Sequence, residues 1–256
     1  MPCTPEYFPE FLAKRCNFPI SDPQMAVAEW KDIEGCTRER AFEPAVGMAC
    51  VGGADYTKTN DFCGCVLTFR KGKDIVNFHH SFICKKSKDL AGIHAPIDKW
   101  VKEGICTIID DVEIPPEIPV QWFAMHALKY NIVMIGIDGY RYTWLNKSFK
   151  KIGFDAFDKE NKRIYIVRPS DIAKASSIIN SAFLQHSISG WDRMMCWYTN
   201  NSKKILDGKG NTAYGKIEPK FRKTDGFMAW VASMCCLDFL PEENCFPDIS
   251  LSVATY

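Results

Sequence analysis

Three aspartates stand where regular structure should begin or end. Asp55 closes the apolar run 48-MACVGGAD-55, Asp138 closes 132-IVMIGID-138, and Asp225 opens 224-TDGFMAW-230. Taken singly, each has an ordinary explanation. Asp is common in the turn after a strand, and in the first turn of a helix it meets unpaired backbone N–H groups. Taken together, they suit a different chemistry. In a mixed α/β sheet, adjacent strand ends and a helix N-terminus can converge at one edge. Three carboxylates gathered there repel one another unless a cation joins them. Hard oxygen donors without His or Cys favour Mg²⁺ or Mn²⁺. A carboxylate shared by two such ions makes a clamp suited to in-line displacement at a phosphate. A fourth acid, Asp61, follows Asp55 within 51-VGGADYTKTNDF-62. It either reaches an ion through water or only pins the loop.

Beside these acids lies a basic run. Between Arg193 and Lys223 stand eight basic residues (193, 203, 204, 209, 216, 220, 222, 223) against two acids, Asp207 and Glu218. An ordinary solvated loop is the plain reading. A phosphate-tracking surface is the functional one, because the run ends directly at Asp225. Lys216, Lys220, Arg222 and Lys223 are the expected phosphate contacts. Trp197 and Tyr198 are read as core residues, with base stacking as the alternative. No helix presents several base-reading side chains at groove spacing, so little sequence specificity is expected. The stretch 210-GNTAYGKI-217 has the spacing of a phosphate-binding loop, but Ile217 stands where Ser or Thr must hold Mg²⁺, and Pro219 blocks the helix that should follow. Cys63-Gly-Cys65 is not a zinc spacing, His79-His80 has no matching ligand pattern nearby, and the cysteines sit in apolar contexts as small buried hydrophobes.

The elements that must position these residues follow from the pattern. The 256 residues, 46% hydrophobic and 25% charged with a net charge of +1, have the composition of a soluble globular protein of one large or two small domains. The longest apolar runs are too short to span a bilayer, and the N-terminus does not resemble a secretory signal. Residues 1–46 are rich in Pro and read as a connecting arm; the body starts near Met48. Strands are expected at 48–55, 62–69 and 75–82, the last two joined by the turn 70-RKGKD-74. A helix at 89–103 stopped by Gly104, a strand at 105–110, a helix at 118–130 and a buried strand at 132–138 follow. Then come a helix at 142–152, a strand at 163–168, a helix at 170–186, an irregular polar stretch at 188–223 and a last helix at 224–237. Thr224 is the expected N-cap of that last helix. Hairpins followed by strand–helix alternation imply an α/β fold with a mixed sheet.

With this order of elements in place, the chain resembles the ribonuclease H-like nuclease domain of phage terminase large subunits, the DNA-packaging motors of tailed phages and prophages. The segments that carry the resemblance are 51-VGGADYTKTNDF-62, 135-IGIDGY-140, 197-WYTNN-201 and 215-GKIEPKFRKTDGFMA-229, the last being the most specific. In addition, 9-PEFLAKRCNF-18 resembles the segment that joins the motor's ATPase to its nuclease. The resemblance implies a ribonuclease H-like mixed β-sheet flanked by helices, with 1–46 as the linker from an ATPase domain and 47–256 as the nuclease domain. It implies that Asp55, Asp138 and Asp225 are the metal-binding catalytic triad for two Mg²⁺ or Mn²⁺ ions, with Asp55 bridging them and Asp61 a further acidic position. The implied activity is endonucleolytic cutting of concatemeric viral DNA in the host cytoplasm, with no membrane involved. Double-stranded DNA, the ATPase domain, the small terminase subunit and the portal are the implied partners. The ATPase's own motifs find no match in the chain, so an isolated nuclease domain with its linker is expected. Alternatives are another nuclease of this fold, of resolvase or transposase type, or a non-catalytic DNA-clamping or docking module. Removing Asp55 or Asp138 is expected to raise the metal-free melting temperature by relieving repulsion.

Overall fold

The computed structural model describes residues 25–206 and 210–241. Its centre is one twisted sheet. Strands β1 (Ala49–Asp55), β2 (Cys63–Lys71) and β3 (Asp74–Cys84) form an antiparallel meander. The β2–β3 turn closes at the pair Lys71↔Asp74, where Gly72 takes φ of 58° as a tight hairpin requires. Strand β4 (Cys106–Ile109) runs parallel to the end of β3. On the other side, β5 (Asn131–Asp138) pairs parallel with β1, and β6 (Ile164–Val167) pairs parallel with β5. The strand order is β4-β3-β2-β1-β5-β6, with the short β7 (Ile188–Ser189) also pairing with β3.

Helices cover both faces. In chain order they are α1 (Trp30–Gly35), α2 (Ile97–Lys102), α3 (Glu117–Ala127), α4 (Gly139–Lys151), α5 (Pro169–Leu184), α6 (Arg193–Asn200) and α7 (Asp225–Met234). The hairpin β8 (Ser202–Leu206) and β9 (Thr212–Lys216) stands apart from the main sheet. Alternation along the strands divides the core in two. Val51, Val66 and Met134 pack with Phe227 and Trp230 of α7. Cys50, Leu67 and Ile135 pack with Phe123, Leu145 and Phe149 of α3 and α4. By the same alternation Asp55 and Asp138, four residues beyond Val51 and Met134, belong to the α7 face.

Three sequence expectations need correction. The helix expected over 89–103 is split into a 3₁₀ turn at Leu90–Gly92 and α2, because Pro96 takes the N-cap position and Ile93 is extended. The irregular stretch of 188–223 contains α6 and the β8–β9 hairpin. Helix α4 begins at Gly139, earlier than expected, since Asp138 itself caps it. The other strands and helices fall at their expected places to within a few residues.

Over its described part, the N-terminal arm packs on the body. Val27, Ile33 and Cys36 are buried in the α7-side core, and Lys204 N donates to Met25 O at 2.8 Å. The 9–18 segment lies outside the described residues. Among the described residues no helix is long and apolar enough to cross a membrane, and the cysteines are free.

Candidate active site

The site is assembled by the way α7 lies on the sheet. Gly64, Gly53 and Gly136 form a stripe across β2, β1 and β5. A Cβ on Gly64 would stand 2.6 Å from Asp225 O, one on Gly53 2.6 Å from Ser233 N, and one on Gly136 2.8 Å from the Ala232 carbonyl carbon. Helix backbone therefore rests directly on strand backbone. Buried hydrogen bonds fix the register: Thr68 Oγ1 bonds with Ser233 Oγ at 2.7 Å, and Trp230 Nε1 donates to Asn77 Oδ1 at 3.0 Å. Asp55 pairs with Gly64, the residue on which Asp225 sits, so the seating of α7 brings Asp225 against Asp55. Asp138 follows the pair Ala54↔Ile137 on the neighbouring strand, exactly as Asp55 does on its own. Thus the three sequence-singled aspartates converge on one edge of the sheet.

Their surroundings differ. Asp225 is 1% exposed, and its Oδ2 has no hydrogen-bond partner. Burial first, and the charge of Asp55 second, push its carboxyl up to about 7. Asp55 is also raised, by burial above all, although Arg141 and Lys216 oppose the shift. Arg141 Nε stands 3.3 Å from Asp55 Oδ1. Asp138 is exposed and accepts backbone N–H from Tyr140 at 2.9 Å and Arg141 at 3.4 Å, both on Oδ1. Thr224 occupies the N-cap position of α7 without making a side-chain cap, contrary to expectation. A cleft of about 500 Å³ opens at this edge, lined by Asp55, Asp138, Tyr140, Arg141, Arg168 and Lys216. Thr224 lines the cleft, whereas its buried neighbour Asp225 does not.

Asp61 pins the loop. Its Oδ1 accepts Lys216 Nζ at 2.6 Å and Lys223 Nζ at 2.8 Å, and Lys223 also reaches Asp89 at 3.1 Å. Burial raises the Asp61 carboxyl, but the two ammonium groups outweigh it and hold it below the ordinary range. Burial likewise works against the charge on Lys216, yet Asp225, Asp61 and Asp55 together raise its pKa. These partners correct the expected DNA track. Lys223 is fully buried and Arg222 is 7% exposed, so neither is presented to a phosphate. Lys216 is half-buried and points its charge to the acids; of the four, only Lys220 is exposed. Asn201, in the WYTNN motif, holds this segment by donating from Nδ2 to Lys223 O at 3.0 Å.

The remaining motifs prove structural. Trp197 and Tyr198 are buried in the core, against Phe62 and, for Trp197, Trp100. His79 is held between Asp192 at 2.7 Å and Ser81 at 2.8 Å, with its side chain wholly buried. The glycine–lysine segment of 210–217 contains strand β9, paired along its length with β8, not a phosphate loop. Sequence reasoning missed Arg141 and Asp89 as members of the site. Arg141 had a signal, since 138-DGYR-141 puts a cation three residues after the capping acid. Asp89 had none, lying 134 residues from its partner Lys223.

Among the described residues no three His, Cys, Asp or Glu side chains are gathered closely enough to hold a metal ion. Asp55 leans on Arg141, Asp138 caps α4, and Asp61 is taken by two lysines. The donor set nevertheless fits a hard divalent cation. It is all carboxylate, and it includes a buried oxygen of Asp225 that nothing in the described protein satisfies.

The cap corrects the expectation that losing Asp138 stabilises the metal-free chain. Asp138→Ala should lower stability by about 1 kcal/mol, because two backbone donors of α4 lose their acceptor. Asp138→Asn, an equally good cap, should leave the melting temperature in EDTA unchanged. An Ala variant melting above the wild type would show that repulsion outweighs capping here.

The sheet order, the antiparallel β1–β3 meander and the parallel β5 and β6 beside β1 define the ribonuclease H-like fold, an α/β mixed sheet flanked by helices. Solved phage large terminases share it. The large terminase of bacteriophage HK97 superposes with a TM-score of 0.70 at 17% identity, over 82% of this chain and 43% of that one. The large terminase of the thermophilic bacteriophage D6E gives a TM-score of 0.50 at 9% identity, over 84% of this chain and 46% of that one. The large terminase nuclease of thermophilic phage G20c, in a structure with bound magnesium, gives 0.49 at 10% identity, over 82% of this chain and 96% of that one. The chain thus spans less than half the length of the HK97 and D6E proteins. No family model and no curated protein matches the sequence.

Proposed function

We propose that the chain is a Mg²⁺- or Mn²⁺-dependent endodeoxyribonuclease of a viral DNA-packaging motor, hydrolysing phosphodiester bonds of concatemeric duplex DNA in the host cytoplasm. The observation that carries this reading is the placing of Asp55 and Asp138 on one cleft, with Asp225 seated over Gly64, the strand partner of Asp55, and its Oδ2 buried and unpartnered. Supporting it is the shared fold with the HK97 large terminase. In this reading Asp55, Asp138 and Asp225 are the carboxylates that would hold two such ions. When bound there, the ions supply an activated water and charge for the leaving 3′ oxygen. The protein's own part is to hold the carboxylates and to receive the phosphate. Arg141, Arg168 and Lys216 line the cleft as cations beside the acids. The Lys216–Asp61–Lys223 ion pairs hold the end of β9 and the segment before α7 against the loop after β1. Residues 1–46 would link to an ATPase domain and 47–256 form the nuclease, with the small subunit and portal as further partners. A DNA clamp without chemistry would leave the Asp225 oxygen unexplained.

The direct test is nicking of supercoiled plasmid by the purified chain. Mn²⁺ or Mg²⁺ should support nicking and linearisation, EDTA should abolish both, and Ca²⁺ should support binding with little cutting. Asp55→Asn should be inactive while melting as a folded protein. Undiminished cutting by that variant, or by the wild type in EDTA, would overturn the assignment.

A further inference from the structure

Helix α4 leaves the cleft directly from the Asp138 cap, and its two faces are unlike. Tyr142, Leu145 and Phe149 are buried in the core beneath it. Tyr140, Trp144 and Lys147 recur at i, i+4 and i+7 on another face. Tyr140 is 67% exposed and Trp144 41%, their rings meeting edge to face at 6.3 Å. Core packing accounts for the first set and leaves the second without a structural task.

Positive groups stand around these rings, alongside Glu113 and the acids of the cleft. Lys58 Nζ lies 4.2 Å from the centre of the Trp144 ring. Lys58 is itself fixed, by an ion pair with Glu113 at 3.3 Å and by its carbonyl accepting Ile114 N at 2.7 Å. Arg141 and Arg168 line the adjoining cleft, and Lys147 is exposed on α4. Exposed aromatic faces interleaved with ammonium and guanidinium groups match a nucleic-acid strand, whose bases stack and whose phosphates pair with cations. Bases inside an intact duplex have no free face. Those at a frayed, nicked or newly cut end do. Tyr140 lines the same cleft as Asp55 and Asp138, so such an end would meet the rings as it leaves the carboxylates.

We propose that Tyr140 and Trp144, flanked by Lys58 and Lys147, form a stacking platform that holds unpaired bases of the DNA strand at the mouth of the cleft. This rests on the nuclease reading, and the test separates the two. Binding is measured by fluorescence anisotropy in Ca²⁺, comparing a blunt duplex with the same duplex carrying a single-stranded extension. The wild type should prefer the extended duplex by roughly tenfold per ring engaged. The Tyr140→Ala/Trp144→Ala double variant should bind both duplexes as the wild type binds the blunt one. Tyr140→Phe and Trp144→Phe, which keep a ring at each position, should retain the preference. Equal binding of both duplexes by the wild type, or a preference that survives the double Ala change, overturns the platform. A wild type that nicks plasmid without the preference sinks the platform alone. A wild type that neither cuts nor binds either duplex sinks both.

Discussion

Asp225→Asn should abolish cleavage and, in the absence of metal, make the protein more stable at alkaline pH. The amide keeps the shape of the side chain, which is 1% exposed, and removes its charge. Burial and the neighbouring Asp55 raise the Asp225 carboxyl to about 7, whereas an unfolded Asp titrates at about 3.9. Between these values the folded chain holds a proton that the unfolded chain has lost. Wild-type stability therefore falls as pH rises through this window, and the full cost stands above about pH 7. Converted at about 1.4 kcal/mol per unit, that cost is about 4 kcal/mol. Asn escapes it, so the variant's advantage in EDTA should grow from about 1 kcal/mol at pH 5 to about 4 kcal/mol at pH 8. Thermal melts at the two pH values measure this directly. Mg²⁺ or Mn²⁺ should raise the melting temperature of the wild type by more than that of the variant, because the variant has lost one of the three carboxylates. Cleavage by the variant should drop by more than about a hundredfold. A pH-independent difference in stability would mean that the buried carboxylate is satisfied in solution.

Gly53→Ala should be at least as damaging without touching any acid. The added methyl would stand 2.6 Å from Ser233 N and overlap the Ala229 carbonyl oxygen. Both obstacles are helix backbone, which cannot swing aside as a side chain does. Overpacking ordinarily costs about 1–3 kcal/mol, and this position belongs at the top of that range or beyond. For a chain of this size that lowers the melting temperature by roughly 6–12 °C. Lifting α7 also moves Asp225 away from Asp55, and displacements of about 1 Å in a catalytic group cost about a hundredfold in rate. Stability and cleavage should therefore fall together. A Gly53→Ala protein with the wild-type melting point and wild-type nicking would show that α7 does not rest on the glycine stripe.

The sheet was legible because its strands announce themselves. Residues 132–137 form a continuous apolar run, and 70-RKGKD-74 supplies a hairpin turn between two others. Asp55 and Asp138 stood out for the same reason, each being the first acid after a buried strand. Less was legible where structure depends on partners distant in the chain. Helix α6 is short, with every residue from Met194 to Asn200 buried, and β8 and β9 are polar strands that form a two-stranded sheet of their own, bridged at Lys203 to Ala26 of the arm. The run before Asp225 looked like a solvated face because Lys and Arg are rarely buried unless paired. What buries Lys223 is the combination of Asp61 and Asp89, and no local pattern links those three positions. Pro96 was visible in the sequence, but the apolar spacing around it outweighed its effect on the helix reading.

The Lys223 ion pairs also bear on when the chain acquires its activity. They join residues 162 and 134 positions apart, so closing them requires nearly the whole body to have come together first. Contacts of such sequence separation form after local hairpins and helices, since chain entropy is lost before they offer any return. The segment that ends at Asp225 is therefore expected to be among the last to dock, with α7 bringing the final carboxylate. Nascent chains have strand-borne acids but no completed cluster. Under the proposed function, the cell's own DNA meets no cutting centre until the C-terminal part of the body has been synthesised and folded onto the sheet.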